Sequence, residues 1–434
     1  MRRFSAVTAL AVAGALAMSL ISAPASSAAQ QSTQGWKKYR DNFKNSVVQR
    51  DMFGMHVFNV EDGVWPTVPI GSLRLWDNET TWSVLEPAPN QYNWGKLDGA
   101  VANAQQNGVN DILFVLAGTP SWATDDPASG GAAGVLPGAA GMPRNLADWD
   151  DFVREVATRY KGRISSYQIW NEANLSTFST GSAQQMAELT KRAYGIIKSI
   201  DPNATVVAPS VGTRLGAKGS SLSNRFVKFY SAYLNALKKD NWPVDAWAVH
   251  TYPRSLGTPV DRGLLAKAYV SLLNRYKAPK KPIWDTENNF GLAGPGPQNP
   301  DQDIVDNRAY SWTALTYLDA LRLGLSRVYW YAWGPENDLV GIQMYEGTPA
   351  AAAYTTLQDW IVGSTYKGCK GGKKGKPVDC TFVQKGKTTK VVWTEKGSKK
   401  FNTKGFSEVC SLNGTCTPIN GSSIRVSDPV RLSN

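Results

Sequence analysis

Short apolar runs alternate along this chain with longer segments in which apolar residues recur every three or four positions. The short runs are FGMHVF (53–58), SLRLW (72–76), DILFVLA (111–117), SSYQIW (165–170), TVVAPS (205–210), DAWAVHTY (245–252), PIWDTE (282–287) and RVYWYAW (327–333). Several are rich in β-branched and aromatic side chains and nearly continuous in apolar character, as strands covered on both faces are. Between them the spacing predicts helices over 94–108, 146–162, 183–200, 225–240, 263–276 and 307–324. Glycine closes the first two and the last, and Asp201-Pro202 follows the third. Eight strands with intervening helices over about 310 residues predict an α/β fold, a closed (β/α)8 TIM barrel spanning 47–363. The competing architecture is an open doubly wound sheet, but no GxGxxG or GxxxxGKS/T motif supports a nucleotide-binding version of it. The glycine-rich stretch GGAAGVLPGAAG (130–141) does not join a strand to a helix and reads as a loop insert on the barrel rim.

The two ends of the chain depart from this pattern. Arg2 and Arg3 precede the apolar run AVTALAVAGALAMSLISA, and small residues follow it. This is the layout of a secretory signal peptide over 1–29, with cleavage after Ala29 and a lead-in over 30–46. A membrane anchor is the alternative, which the small-residue exit argues against. No later segment has the ~20 apolar residues needed to span a bilayer. The expectation is a secreted protein, extracellular or cell-wall-associated.

From Ser364 onward the text changes to short strand-like pieces separated by turns and lysines, predicting a small all-β domain over 364–434. This segment has 14 Lys or Arg against 4 Asp or Glu, and so carries ten of the chain's twelve net positive charges. Arg2 and Arg3 carry the other two, and the remainder, 30–363, is formally neutral. All four cysteines, Cys369, Cys380, Cys410 and Cys416, lie in the same segment. In an exported chain they suit disulfides, most simply Cys369–Cys380 and Cys410–Cys416, although four cysteines allow three pairings. A zinc site is the alternative, but the spacings do not match a short zinc knuckle. The basic segment with Trp393 suits an anionic wall polymer or exopolysaccharide, or it is simply a solvated accessory unit. No nucleic-acid reader motif accompanies the lysines.

Two glutamates stand out against this frame. Glu172 follows the fourth predicted strand in SYQIWNEANL (166–175), and Glu287 ends the seventh in WDTENN (284–289). In a parallel barrel the carboxyl ends of all strands share one face, so the two acids can meet across a cleft. Cleavage of a glycosidic bond requires such a pair. One group gives a proton to the leaving oxygen, and the other attacks the anomeric carbon or activates water. A secreted carbohydrate-binding or wall-associated protein without turnover is the alternative function.

These segments resemble those of the retaining glycoside hydrolases of clan A: Trp170-Asn171-Glu172 after strand four and Asp285-Thr286-Glu287-Asn288 after strand seven. The resemblance covers roughly 47–363. It implies that Glu172 is the acid/base, that Glu287 is the nucleophile, and that Asn171 hydrogen-bonds the substrate's 2-hydroxyl. Arg74 after strand two is expected to bond the nucleophile, or else to form a plain salt bridge at the barrel mouth. His250 and Tyr252 after strand six hold positions where clan members steady the nucleophile or touch sugar. His56 in strand one is expected to hold a hydroxyl or a core carbonyl. Trp76, Trp122, Trp330 and Trp333 are candidate sugar platforms among 16 tryptophans. TTWSVLEPAPNQYNWGKLD resembles the region after strand two in several clan members, where Glu86 and Asp98 are structural. Within the clan the arrangement most resembles family 39 and its bacterial polysaccharide-cleaving members. The implied partner is a poly- or oligosaccharide, anionic ones included, acted on by a monomer without metal or cofactor.

Overall fold

The computed structural model of the chain describes residue 39 and residues 42–434, except 131–135, 214–221, 295–296, 298, 336–338 and 373–374. The expected signal peptide and most of the lead-in lie outside the described residues, as does part of the rim insert.

Each predicted apolar run forms a strand. These are β1 (Phe53–Val57), β2 (Ser72–Leu75), β3 (Ile112–Leu116), β4 (Ser166–Ile169), β5 (Thr205–Val207), β6 (Trp247–His250), β7 (Ile283–Asn288) and β8 (Arg327–Trp333). They pair in parallel in the order β5-β4-β3-β2-β1-β8-β7-β6. The seam between β5 and β6 is bridged singly at Val207 with Ala246 and at Gly212 with His250. The sheet is therefore a nearly closed TIM barrel. Alternation divides its side chains between two packed layers. Leu113, Val207, Ala246, Ala248, Trp284 and Tyr329 form a cluster of their own, while residues of opposite parity such as Tyr167, Ile169 and Trp330 join the main cluster shared with the helices.

A short helix, α1 (Trp82–Leu85), precedes seven longer ones: α2 (Gly95–Gln106), α3 (Leu146–Arg159), α4 (Ala183–Ile200), α5 (Asn224–Lys239), α6 (Pro259–Arg275), α7 (Asn307–Leu323) and α8 (Pro349–Ile361). Helix α6 begins one turn before the predicted 263. Thr258 and Asp261 form a capping box there and Pro259 occupies the first turn, where its missing N–H costs nothing. Helix α8 is absent from the sequence-based prediction. Its run of alanines carries little polar periodicity, yet Thr348 caps it by accepting from the Ala351 N–H.

The C-terminal region is antiparallel, with six strands in one sheet and two in another. Strands β9 (Thr365–Lys370) and β10 (Val378–Gln384) place Cys369 opposite Cys380. Two further strands, Glu408–Ser411 and Cys416–Pro418, place Cys410 opposite Cys416. Both pairs are disulfides, the simplest of the three pairings. The unit docks on the barrel through an ion pair from Arg322 to Glu395 at 2.8 Å, through Arg322 over the Trp393 ring, and through Val48 N–H to Ser364 O at 2.9 Å. Among the described residues, no helix is long and apolar enough to cross a membrane.

Candidate active site

Both glutamates reach the carboxyl-terminal mouth of the barrel through local departures from regular backbone. On β4, strict alternation ends at Trp170 (φ +63°), and Glu172 itself has φ +40°. Each non-glycine residue in this left-handed region costs about 1–3 kcal/mol, which surrounding contacts must offset. Here the loop after β5 supplies them. The Glu172 N–H donates to Ser210 Oγ (2.9 Å), and Ser210 donates to Asn171 Oδ1 (3.3 Å). The Asn174 amide exchanges two bonds with the Gly212 backbone (2.9 and 3.1 Å). A Cβ on Gly212 would lie 2.7 Å from Glu172 Oε1, so only glycine admits this approach.

On β7 a bulge does the aiming. Val249 and His250 are neighbours in β6, yet they pair with Asp285 and Glu287, so Thr286 is an extra residue. Asp285 accepts from Arg262 of α6 at 2.6 Å and from Thr251. Beyond the bulge, Thr286 Oγ1 accepts from Gln168 (3.1 Å) and Glu287 reaches Arg74 and His250.

Arg74 ties the elements together. Its Nε donates to Gln168 Oε1 (2.8 Å) and its Nη2 to Asn171 Oδ1 (2.8 Å). Its Nη1 faces His56 Nε2 (3.1 Å) and Glu287 Oε1 (3.4 Å). One buried guanidinium thereby links β1, β2, β4 and β7. His250 stands between the two acids, with Nδ1 3.0 Å from Glu172 Oε1 and 2.8 Å from Glu287 Oε2. An oxygen of Glu172, an oxygen of Glu287 and a ring nitrogen of His250 all lie within 4.8 Å of one another. The chain has only two histidines, and both are buried here.

The electrostatics follow from these contacts. Burial works to raise the Glu287 pKa, but the charge and hydrogen bond of His250, with Arg74 behind them, hold it well below the ordinary carboxylate range. Burial works to lower the His250 pKa, and the two carboxylates outweigh it, so the net shift is upward. Burial, then Arg74, push His56 down to about 3, leaving a neutral imidazole. Its Nε2 lies 3.1 Å from Thr286 O as well as from Arg74.

No protein-family model and no curated protein matches the sequence. Solved structures do match over nearly the whole chain. A glucosidase from Croceicoccus marinus is 13% identical with a TM-score of 0.58, covering 89% of this chain and 96% of that one. The catalytic domain of GH30 xylanase C from Talaromyces cellulolyticus is 13% identical, TM-score 0.55, covering 90% and 98%. A GH51 arabinofuranosidase from Xanthomonas axonopodis pv. citri is 10% identical, TM-score 0.55, again covering 90% and 98%. The barrel has the fold of these glycoside hydrolases. The likeness extends across several families and does not single out family 39.

The glycosidase-like barrel also contains residues that sequence reasoning passed over. Asp77, just after β2, brings a carboxylate oxygen within 4.8 Å of Glu287 and His56 ligand atoms. It is hydrogen-bonded by the Tyr331 hydroxyl, and the Tyr331 ring packs edge-on against His56 at 5.0 Å. The crowded cleft walls and then the Glu287 charge raise the Asp77 pKa, although solvent reaches its side chain through the open mouth. Tyr252 is buried beside His250, its ring centroid 6.4 Å from the imidazole.

The candidate sugar platforms divide. Trp76 is nearly buried and packs edge-on against Phe178. Trp122 is half-buried, donates its ring N–H to Glu86 O at 3.0 Å, and meets Trp82 edge-on. Trp333 ends β8, nearly buried and bridged to Met344. Trp330 does not reach the cleft. It is fully buried in the main cluster, with parity opposite to that of Tyr329 and Tyr331, and Tyr331 is the β8 ring that faces His56. Glu86 accepts from the Trp82 ring N–H (2.7 Å), and Asp98 accepts from Arg159 and Tyr160, so both acids serve packing. Two groups in the cleft have metal-ligand composition, His56–Asp77–Glu287 and Glu172–His250–Glu287. The Arg74 guanidinium already brings positive charge against Glu287 and His56 in the first of them.

Proposed function

We propose that this chain is a secreted glycoside hydrolase that cleaves a poly- or oligosaccharide by double displacement, with Glu287 as nucleophile and Glu172 as acid/base. The observation that carries this reading is the pair of carboxylate oxygens within 4.8 Å of each other. Retaining glycosidases separate their carboxyl groups by about 5–5.5 Å, whereas inverting ones leave room for water at roughly 6.5–9.5 Å. The low pKa of Glu287 supports its role, because a nucleophile must be ionised before it attacks.

In the first step a Glu287 oxygen bonds to the anomeric carbon as the bond from that carbon to the leaving oxygen breaks. Glu172 in its acid form gives its proton to that oxygen. In the second step Glu172, now a carboxylate, takes a proton from water, the water oxygen bonds to the anomeric carbon, and the Glu287 carboxylate is released. Throughout, His250 Nδ1 screens the two acids from each other. Asn171 uses its Oδ1 for Arg74 and Ser210, which leaves its amide N–H groups for the sugar's 2-hydroxyl. By sequence pattern the arrangement resembles family 39 of clan A. Two of the structural neighbours are a xylanase and an arabinofuranosidase, which argues for testing plant polymers first. The basic β unit is then an accessory that holds the monomeric enzyme near its target, after removal of residues 1–29.

The test is a screen of plant and bacterial polysaccharides with product masses read by mass spectrometry, together with three variants. Glu172→Gln and Glu287→Gln should each lose hydrolysis while keeping the wild-type circular dichroism. Glu287→Gly supplied with azide should yield a glycosyl azide of inverted configuration. Wild-type turnover in either glutamine variant overturns the assignment.

A further inference from the structure

The cleft holds a third carboxylate that the double-displacement scheme does not use. Asp77 follows Arg74 and Trp76 out of β2, is open to solvent, and lies within 4.8 Å of both Glu287 and His56 through its ligand oxygen. Glu287 turns Oε2 toward His250 and Glu172, which places the proton donor and the departing group on that edge. Its Oε1 turns toward Arg74 and His56, the group to which Asp77 and Tyr331 belong. The ring whose anomeric carbon is attacked therefore lies against Asp77.

Charge on this floor is unbalanced. Arg74 offsets Glu287, and its other donors are engaged with Gln168, His56 and Asn171. His56 is held neutral by burial and by Arg74. His250 and Glu172 share a contact in which a single proton leaves the pair neutral overall, on whichever partner it sits. Among the described residues, Asp77 has the Tyr331 hydroxyl as its hydrogen-bond donor. A carboxylate accepts from more than one donor, so Asp77 has acceptor capacity directed at a ligand. A sugar hydroxyl or ammonium supplies donors. A sugar carboxylate supplies none when ionised and adds a like charge beside Asp77, which Arg74 does not offset.

We propose that Asp77 is a specificity-determining residue that grips donor hydrogens of the ring seated against Glu287 and restricts that ring to sugars without a carboxylate. Resting on the hydrolase reading above, this narrows the substrate to neutral or amine-bearing glycans and separates two roles. The basic β unit is free to hold a polyanion, while the cleft cuts a non-acidic sugar.

The test compares xylan, glucan, mannan, galactan and chitosan with polygalacturonate, alginate and polyglucuronate, using the full mature chain. Because the β unit attracts polyanions regardless of the cleft, kcat is compared, and mass spectrometry identifies the sugar on the glycone side of each cut. Cuts after a non-acidic sugar, at least about 100-fold faster than any after a uronate, are expected. Asp77→Asn should lower kcat/KM on the preferred polymer at least about 10-fold and narrow that ratio. Comparable cleavage after a uronate overturns the inference and leaves the hydrolase reading standing. So does an unchanged ratio in a folded Asp77→Asn enzyme. If the variant does not fold, the wild-type ratio decides alone. Absence of turnover on every polymer overturns both.

Discussion

The Nδ1 atom of His250 lies 3.0 Å from Glu172 and 2.8 Å from Glu287, so one ring nitrogen serves both acids. One N–H cannot donate fully to two acceptors at once, and the proton's position is thereby coupled to the state of both carboxylates. Replacing His250 with alanine should lower kcat by about 100-fold or more. Loss of the imidazole also removes the main influence holding the Glu287 pKa down. The acid limb of the kcat/KM profile should then move to higher pH, which a pH–rate series measures. A merely structural histidine would reduce activity without moving that limb.

Gly212 touches the site without contributing a functional group. An alanine there would set its Cβ 2.7 Å from Glu172 Oε1. The carboxylate must retreat, and a displacement near 1 Å costs about 100-fold in rate. Gly212→Ala should therefore lose one to two orders of magnitude in kcat with little change in melting temperature. Steady-state kinetics and thermal unfolding on one sample check both halves.

The two histidines should bend the pH dependence of stability near their ordinary pKa, about 6.5. His56 is held down at about 3 in the fold, so unfolding takes up a proton between those values. The stability that His56 confers is complete above pH 6.5 and declines as pH falls toward 3, by up to about 1.4 kcal/mol per pH unit. His250 acts with opposite sign. Its pKa is raised in the fold, so its contribution is complete below pH 6.5 and is lost as pH rises through the folded value. Glu287, depressed in the fold, adds to the acid-side loss below about 4.5. Denaturant melts across pH 4–9 should show the stability difference between wild type and His56→Gln growing in favour of wild type as pH rises toward 6.5.

Arg262 and Asp285 form a buried pair at 2.6 Å behind the bulge that aims Glu287. Arg262→Met strands the carboxylate, at a cost of about 3–5 kcal/mol. Asp285→Asn introduced with it should recover part of that loss. Melting temperatures of the single and double variants give the comparison.

Much of this architecture was legible in the chain because buried parallel strands write themselves as apolar runs. All eight strands, six helices and both glutamates follow from that pattern and its rim positions. Helix α8 was missed because an alanine-rich segment lacks a polar stripe. Trp330 is kept out of the cleft by parity on β8, where Tyr329 and Tyr331 share one face and Trp330 takes the other, which its aromatic character alone does not reveal. Asp77 and Ser210 were invisible for a different reason. Their neighbours, Tyr331 and Asn171, come from distant strands, and nothing local in SLRLWD or TVVAPS marks them. The role of Gln168 likewise depends on Arg74 arriving from β2.

The barrel's seam has a consequence for how the two acids age under perturbation. Glu287 sits in β7, which pairs with both β6 and β8 on either side of its bulge, and is pinned by a guanidinium. Glu172 hangs on Ser210 and on the Asn174–Gly212 clasp, beside the place where β5 and β6 meet through isolated bridges. A lesion in the stretch after β5 would disturb Glu172 first and leave Glu287 anchored, so heat or mutation there should slow cleavage of a polysaccharide while an activated aryl glycoside, whose leaving group needs no proton, is still captured and then released slowly.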